Sequence, residues 1–203
     1  ADYDLVMLQL ELPMEVVESV AAWAYEAGVP VMLNPAPAAA LSDTLLGHVT
    51  YLSPNEHEAT LMSGQQIAVG NGINQEDMHR AARYFMQRGV KNLIVTLGAN
   101  GSVCVNQNGT VYTPSVHMDK IIDTTAAGDS FVAAFCTGLT AGLDERQALA
   151  FASHTAAITV SRMGAMPSLP TITEVKALIV EKGCRGIDTN ILDMLERSGT
   201  STK

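Results

Sequence analysis

Cysteine is scarce in this 203-residue chain: Cys104, Cys136 and Cys184 stand far apart and form no C-x-x-C pair. That leaves no basis for a disulfide framework or a cysteine zinc site, and it fits a reducing, cytoplasmic setting. Cys136 falls in an apolar segment and reads as a small core residue. Basic residues are also few: 12 Lys and Arg against 21 Asp and Glu give a net charge of −9. Such a charge balance argues against a general nucleic-acid or acidic-membrane partner. It does not exclude a small anionic ligand, because backbone dipoles bind anions locally. No apolar run is long enough to span a bilayer, and the N-terminus lacks the basic region of a secretory signal. Two phosphate motifs are missing as well. Without G-x-x-x-x-G-K-[ST] the chain is not a P-loop kinase, and without G-x-G-x-x-G after a strand a dinucleotide-binding oxidoreductase is disfavoured.

What remains is rich in core. Hydrophobic residues make up 47% and charged residues 16%, as expected for an α/β domain buried on both sheet faces. The length allows one sizeable domain or two small ones. There is no initiator Met, and Leu5–Leu10 already reads as a buried strand. A chain that opens mid-strand is expected to be a piece of a longer one.

Glu11 follows that strand at its carboxyl end, the edge where open α/β sheets bind ligands. It reads either as a ligand contact or as a solvated loop acid. Pro13–Ala27 predicts an amphipathic helix with Val16, Val17, Val20, Ala24 and Ala27 inward, Pro13 in its first turn and Gly28 as its stop. Val29–Leu33 predicts a strand, and Asn34-Pro35-Ala36-Pro37-Ala38 a rigid turn. Val49–Ser53 predicts a third strand. Asn55 then caps a helix, with Glu58 three residues on and on the same face. That pair reads equally as a capping box or as a functional pair. Gly64 to Asn74 reads as a polar loop, Gln75–Arg88 as a helix and Lys91–Leu97 as a strong strand. The Thr96–Gly101 turn, with Gly98 and Gly101, lets backbone approach a ligand, or simply closes a hairpin. Ser102–Asn106 and Thr110–Pro114 read as strands joined at Asn108-Gly109. Asp144 caps an alanine-rich helix running to about Val160, suited to close packing. A small-residue loop, Ser161 to Ser168, and a helix, Thr173–Glu181, complete the domain. The alternation of strand and helix gives a mostly parallel sheet with helices on both faces. Residues 1–183 form the expected α/β domain. The stretch 184–203 reads as a polar tail with a short apolar patch, Ile191–Leu195, and a disordered end from Ser198.

The densest stretch is Asp123-Thr124-Thr125-Ala126-Ala127-Gly128-Asp129-Ser130-Phe131, ahead of a long apolar segment, Phe131–Leu143. Asp129 falls in the first turn of a buried helix. Its carboxylate suits a general base for an alcohol, worth roughly 10²–10⁴ in rate. The small side chains of Ala126, Ala127 and Gly128 leave N–H groups uncovered at the positive end of the helix dipole, ready for an anion. Together these are the needs of phosphoryl transfer: a base, charge stabilisation and alignment. The plainer reading of Asp129 is an acid that stabilises the helix dipole.

D-T-T-A-A-G-D-S-F resembles the C-terminal signature of the ribokinase family of carbohydrate kinases. Leu8-Gln9-Leu10-Glu11, Asn34-Pro35-Ala36-Pro37-Ala38, Pro54-Asn55-Glu56-x-Glu58, Thr96-Leu97-Gly98-x-x-Gly101 and Gly164-Ala165-x-Pro167-Ser168 resemble further segments of it, in the same order and spacing, from about Leu5 to Leu178. The N-P-A-P-A and L-Q-L-E segments point to the ribokinase branch. The resemblance implies a three-layer α/β/α, Rossmann-like fold and an ATP-dependent kinase for the primary hydroxyl of a pentose, most readily ribose. It makes Asp129 the base and Ala126, Ala127 and Gly128 the anion hole. Asn55, Thr96, Gly98 and Gly101 would line the ATP site with Gly128, and Ser153 would lie beside the adenine. Asn55 and Glu58 would organise Mg²⁺ through water. Asp123, Thr125, Thr159, Arg162, Gly164 and Ser168 would surround an activating K⁺, Arg162 by its carbonyl alone. Glu11 would touch the sugar. Family members begin with a half that holds an early sugar-binding Asp, a Gly-Gly-Lys-Gly-Ala-Asn-type loop and a β lid that is the usual homodimer contact. None of these occurs here. The chain by itself is therefore expected to be an inactive, nucleotide-binding portion with an exposed sheet edge. 2-Deoxyribose, another sugar or a nucleoside stay open as substrates.

Overall fold

Apolar runs of four or five residues set the strands, and one sheet gathers six of them. The computed structural model describes residues 2–70 and 72–200. In chain order the elements are β1 (Val6–Gln9), α1 (Met14–Glu26), β2 (Val31–Asn34), α2 (Asp43–His48), β3 (Tyr51–Leu52), α3 (Glu56–Ser63), β4 (Val69–Gly70), β5 (Gly72–Ile73), α4 (Gln75–Met86), β6 (Asn92–Thr96), β7 (Ser102–Asn106), β8 (Gly109–Thr113), α5 (Ala127–Ala141), α6 (Glu145–Val160), α7 (Ile172–Glu181) and α8 (Thr189–Thr200). The chain divides into two compact units, one up to Tyr112 and one from Thr113 on.

In the first unit the strand order is β1-β2-β3-β6-β7-β8. The pairs β1–β2, β2–β3 and β3–β6 are parallel, and β6–β7 is antiparallel with Thr96 opposite Ser102. Alternate residues Val31, Leu33, Leu93, Val95, Val103 and Val105 join one core cluster with Val17, Ala21, Met78 and Phe85 of the helices. Met32, Ile94 and Cys104, on the other face by strand alternation, are buried too. Near-continuous burial explains why these strands read as unbroken apolar runs. β1 lies at the edge of the sheet and leaves Met7 46% exposed, as expected for an uncovered edge strand.

Several boundaries differ from expectation. α1 buries Val17, Ala21 and Ala24, a stripe at i, i+4, i+7; Val16 and Ala27 are exposed, and Pro13 is the N-cap rather than a first-turn residue. α2 was unanticipated: Ser42 caps it by accepting from the Leu45 N–H, and Leu45 and Leu46 bury its one apolar side. β3 is only two residues long. The expected loop from Gly64 to Asn74 carries the small antiparallel pair β4–β5; Asn71, between those strands, lies outside the described residues.

The second unit is helical. α5 starts at Ala127, four residues before the apolar run, because Ala, Gly and Asp extend the first turn. Gly138 of α5 lets α6 approach: a Cβ there would meet Leu143 Cδ1 at 3.1 Å, and Ala148 and Phe151 of α6 at 3.4 Å. α6 is buried almost all round, through Ala148, Leu149, Phe151, Ala152, Thr155 and Ile158, as its alanine content predicts. The polar tail is corrected. Residues 189–200 form α8, which packs on α7 and α5 with Leu192 fully buried. Lys176 of α7 holds it through Asp193 and, at 2.6 Å, Glu196. The disordered end expected from Ser198 therefore does not apply through Thr200; 201–203 lie outside the described residues.

Candidate active site

In the first unit Asn55 and Glu58 adopt the capping-box reading in full. Asn55 Oδ1 accepts from the Glu58 N–H and Glu58 Oε2 accepts from the Asn55 N–H, both at 2.8 Å. The box fixes the entry to α3 at the carboxyl end of β3. There Asn55 bridges to Thr96, and the Thr96 N–H donates to the Pro54 carbonyl at 3.1 Å. The Thr96–Gly101 turn thus sits directly beside Asn55. A short 3₁₀ turn over Gly98–Asn100 returns the chain into β7, closed by the Leu97 N–H to the Gly101 carbonyl at 2.8 Å. Gly101 has φ +87° and ψ −135°, a conformation open to glycine alone. Glu11 is exposed in the turn after β1, where the Leu10 N–H donates to the Ala36 carbonyl of the Asn34–Ala38 turn. Two strands, β2 and β3, separate β1 from β6, so Glu11 is not gathered with Thr96.

In the second unit α5 begins without a side-chain cap. Ala126 at the N-cap has φ +60°, the one left-handed non-glycine residue among those described. A left-handed alanine costs roughly 1–2 kcal/mol, so the loop's shape is held against a local preference. Of the three expected donors, the Ala127 N–H turns back to the Thr124 carbonyl at 3.2 Å. The N–H groups of Ala126 and Gly128 take no partner among the described residues. Asp129 lies in the first turn and is exposed.

Asp123 ties two loops together. Its Oδ1 accepts from the Thr125 N–H at 2.9 Å and hydroxyl at 2.7 Å, and its Oδ2 accepts from the Gly164 N–H at 2.9 Å. The Thr125 hydroxyl, then the two N–H groups, hold the carboxyl below its ordinary range. The Arg162 N–H donates to the Thr159 carbonyl, and the buried Ser168 hydroxyl donates to Ala165 at 2.6 Å. Of the six residues expected around a cation, Asp123 is thus bonded to Thr125 and Gly164, and Arg162 to Thr159, while Ser168 bonds Ala165 instead. Thr159 is buried at the end of α6, and Ser153 lies six residues earlier in that helix, also buried. Among the described residues no three His, Cys, Asp or Glu side chains cluster as a metal site. Carbonyls, hydroxyls and one carboxylate suit a hard, weakly held cation.

The Arg162 side chain is engaged with the start of α7. Its Nη2 meets Glu174 Oε1 at 2.5 Å. Glu174 was missed, although Thr171-x-x-Glu174 carries the capping-box spacing. It completes such a box at the start of α7, and the Arg162 guanidinium draws its carboxyl down to about 2.

Comparison with known proteins follows the same outline. The chain is 39% identical to the ribokinase of Schizosaccharomyces pombe over 173 residues, 85% of this chain and 54% of that protein. It is 38% identical to the ribokinase of Haemophilus influenzae, covering 86% of this chain and 55% of that one. It superposes on the structure of Arabidopsis thaliana ribokinase complexed with ribose and ATP with a TM-score of 0.82 and 31% identity, covering 87% of this chain and 55% of that one. The chain thus spans about half the length of the relatives it matches. These likenesses bear out the expected three-layer α/β/α, ribokinase-like class. Residues 4–172 match the family model described as pfkB family carbohydrate kinase, and the chain belongs to that family.

Proposed function

We propose that the protein of which this chain is a part transfers the γ-phosphoryl group of Mg-ATP to the primary hydroxyl of a pentose, most readily ribose. The observation that supports this is the start of α5: an uncapped helix whose N–H groups at Ala126 and Gly128 take no partner among the described residues, with a carboxylate, Asp129, within its first turn. The Asp129 carboxylate accepts the hydroxyl proton as the oxygen attacks phosphorus. The N–H groups and the positive end of the α5 dipole stabilise charge on the phosphoryl oxygens. Asn55, Thr96, Gly98 and Gly101 bind nucleotide in this reading, with Ser153 near the base and Glu11 near the sugar. Asn55 and Glu58 would organise Mg²⁺ through water in this reading, with one oxygen of each already accepting within the α3 cap. Mg²⁺ when bound neutralises phosphate charge. The segments Asp123–Thr125 and Thr159–Ser168 hold K⁺ with oxygen ligands.

A cytoplasmic location belongs to the same reading, in keeping with cysteines that form no disulfide among the described residues. The longer protein forms a homodimer in this reading, through a lid this chain does not carry. Calorimetric titration with Mg-ATP, followed by a coupled assay of ADP release with and without ribose, tests the proposal. This chain is expected to bind nucleotide without ribose-stimulated release. The longer natural protein is expected to show that release. Absence of release there with ribose, but presence with 2-deoxyribose or a nucleoside, would transfer the assignment to that acceptor.

A further inference from the structure

The segment from Ser161 to Met166 has little apolar anchorage, since Met163 is 69% and Met166 83% exposed. Its position rests on polar ties at either side of Gly164. On one side the Gly164 N–H donates to Asp123 Oδ2 at 2.9 Å. On the other, Arg162 reaches Glu174 with Nη2 to Oε1 at 2.5 Å and Nη1 to Oε2 at 3.4 Å. Glu174 is itself fixed by the α7 cap, where Oε2 accepts from the Thr171 N–H at 2.8 Å. A continuous line of contacts therefore runs from the rigid start of α7 through Arg162 and Gly164 to Asp123 and Thr125, four residues or fewer before α5.

We propose that Glu174, acting through Arg162, is a positioning residue for the Gly164–Asp123 link and hence for the loop that leads into α5. Its functional consequence rests on the reading of that loop as a phosphoryl-transfer and cation site. The contact geometry itself does not.

Two conservative changes separate the pair from the cap. Glu174→Gln keeps an oxygen acceptor for the Thr171 N–H, because Gln also completes a capping box. Arg162→Met keeps the stem and the backbone carbonyl. Amide exchange is measured across the whole chain in K⁺-free buffer for the parent, each variant and the double variant. The pair is partly exposed, so the Gly164 amide should exchange roughly threefold faster in either single variant. The double variant should be no faster, and the α7 amides from Val175 to Leu178 should be unchanged. Unchanged Gly164 exchange in both variants overturns the proposal, as does an equal rise throughout α7. The dependence of the unfolding midpoint on added KCl gives a second readout: the variants should need more K⁺ than the parent for half of the full shift. A parent that does not respond to K⁺ refutes the cation reading alone, and the exchange result still decides the positioning role.

Discussion

Helices α3 and α5 begin in opposite ways. α3 has both orphan ends of its first turn met by its own side chains, Asn55 and Glu58, and it buries only Ala59 and Ser63. α5 has no side-chain cap, a left-handed alanine at its start and two N–H groups without partners among the described residues, yet it buries Ser130, Phe131, Val132, Ala134, Phe135, Cys136 and Gly138. One helix is held by its cap and the other by its packing. A capped start has already spent the donors an anion would use. An uncapped start can offer them only if burial elsewhere offsets the missing cap. In the proposed chemistry α5 is therefore the helix that meets phosphoryl oxygens, while α3 positions Asn55 beside Thr96.

The largest contrast lies in the first-turn acids. On the proposed function, Asp129→Ala in a version extended to the full length of its relatives should reduce turnover by about 10²–10⁴ with nucleotide affinity retained in calorimetry. Turnover within a factor of a few of the parent would remove Asp129 as the base and leave it a dipole acid like any other. Next is the left-handed N-cap. Ala126→Val places a β-branched residue at φ +60° and should destabilise by about 1–3 kcal/mol in urea unfolding. Ala126→Gly should stabilise by up to ~1 kcal/mol. If Ala126→Gly instead destabilised, the loop would not be held against a local preference. Smaller again is the α3 cap: Asn55→Ala should cost ~1 kcal/mol and Asn55→Asp only a few tenths. A cost near zero for Asn55→Ala would mean that α3, too, is held by packing.

Much of this contrast was legible in the sequence. Asn55 and Glu58 carry the capping-box spacing, and Asp129 ahead of Phe131–Leu143 marks the start of a buried helix. The parallel strands were legible because burial on both faces leaves unbroken apolar runs. What was not legible depends on tertiary contact. The six residues of α2 give too short a pattern to separate from loop. α8 rests on Leu192 and on the ion pairs of Lys176, partners that only the fold supplies. The left-handed turn at Ala126 and the diversion of the Ala127 N–H to Thr124 follow from how the loop closes, not from the identity of an alanine. Arg162 gave no sign of its partner, though Thr171-x-x-Glu174 did announce a cap.

The smallest expected effect separates packing from capping by pH. α5 lies against α6, and α6 carries His154, which is 5% exposed and whose Nδ1 pairs with the Ala150 carbonyl at 2.8 Å. Its Nε2 is buried without a partner among the described residues. Burial first, and the nearby Lys182 charge to a lesser degree, pushes the imidazole below its ordinary value of 6.5, against a weaker opposing contribution from the Ala150 hydrogen bond. With the folded value depressed, the unfolded chain takes up the proton first as pH falls. Stability present above pH 6.5 is then lost progressively below it. Acidification from pH 7 to pH 5 should lower the amide protection factors of α5 and α6, that is, exchange rates corrected for the intrinsic pH dependence, while those at the capped start of α3 change little. His154→Asn keeps a donor near the Ala150 carbonyl and removes the titration, so it should flatten the pH dependence in α5 and α6. Equal acid sensitivity in α3 and α5, or a slope unchanged by His154→Asn, would show that the two helices do not differ in what holds them.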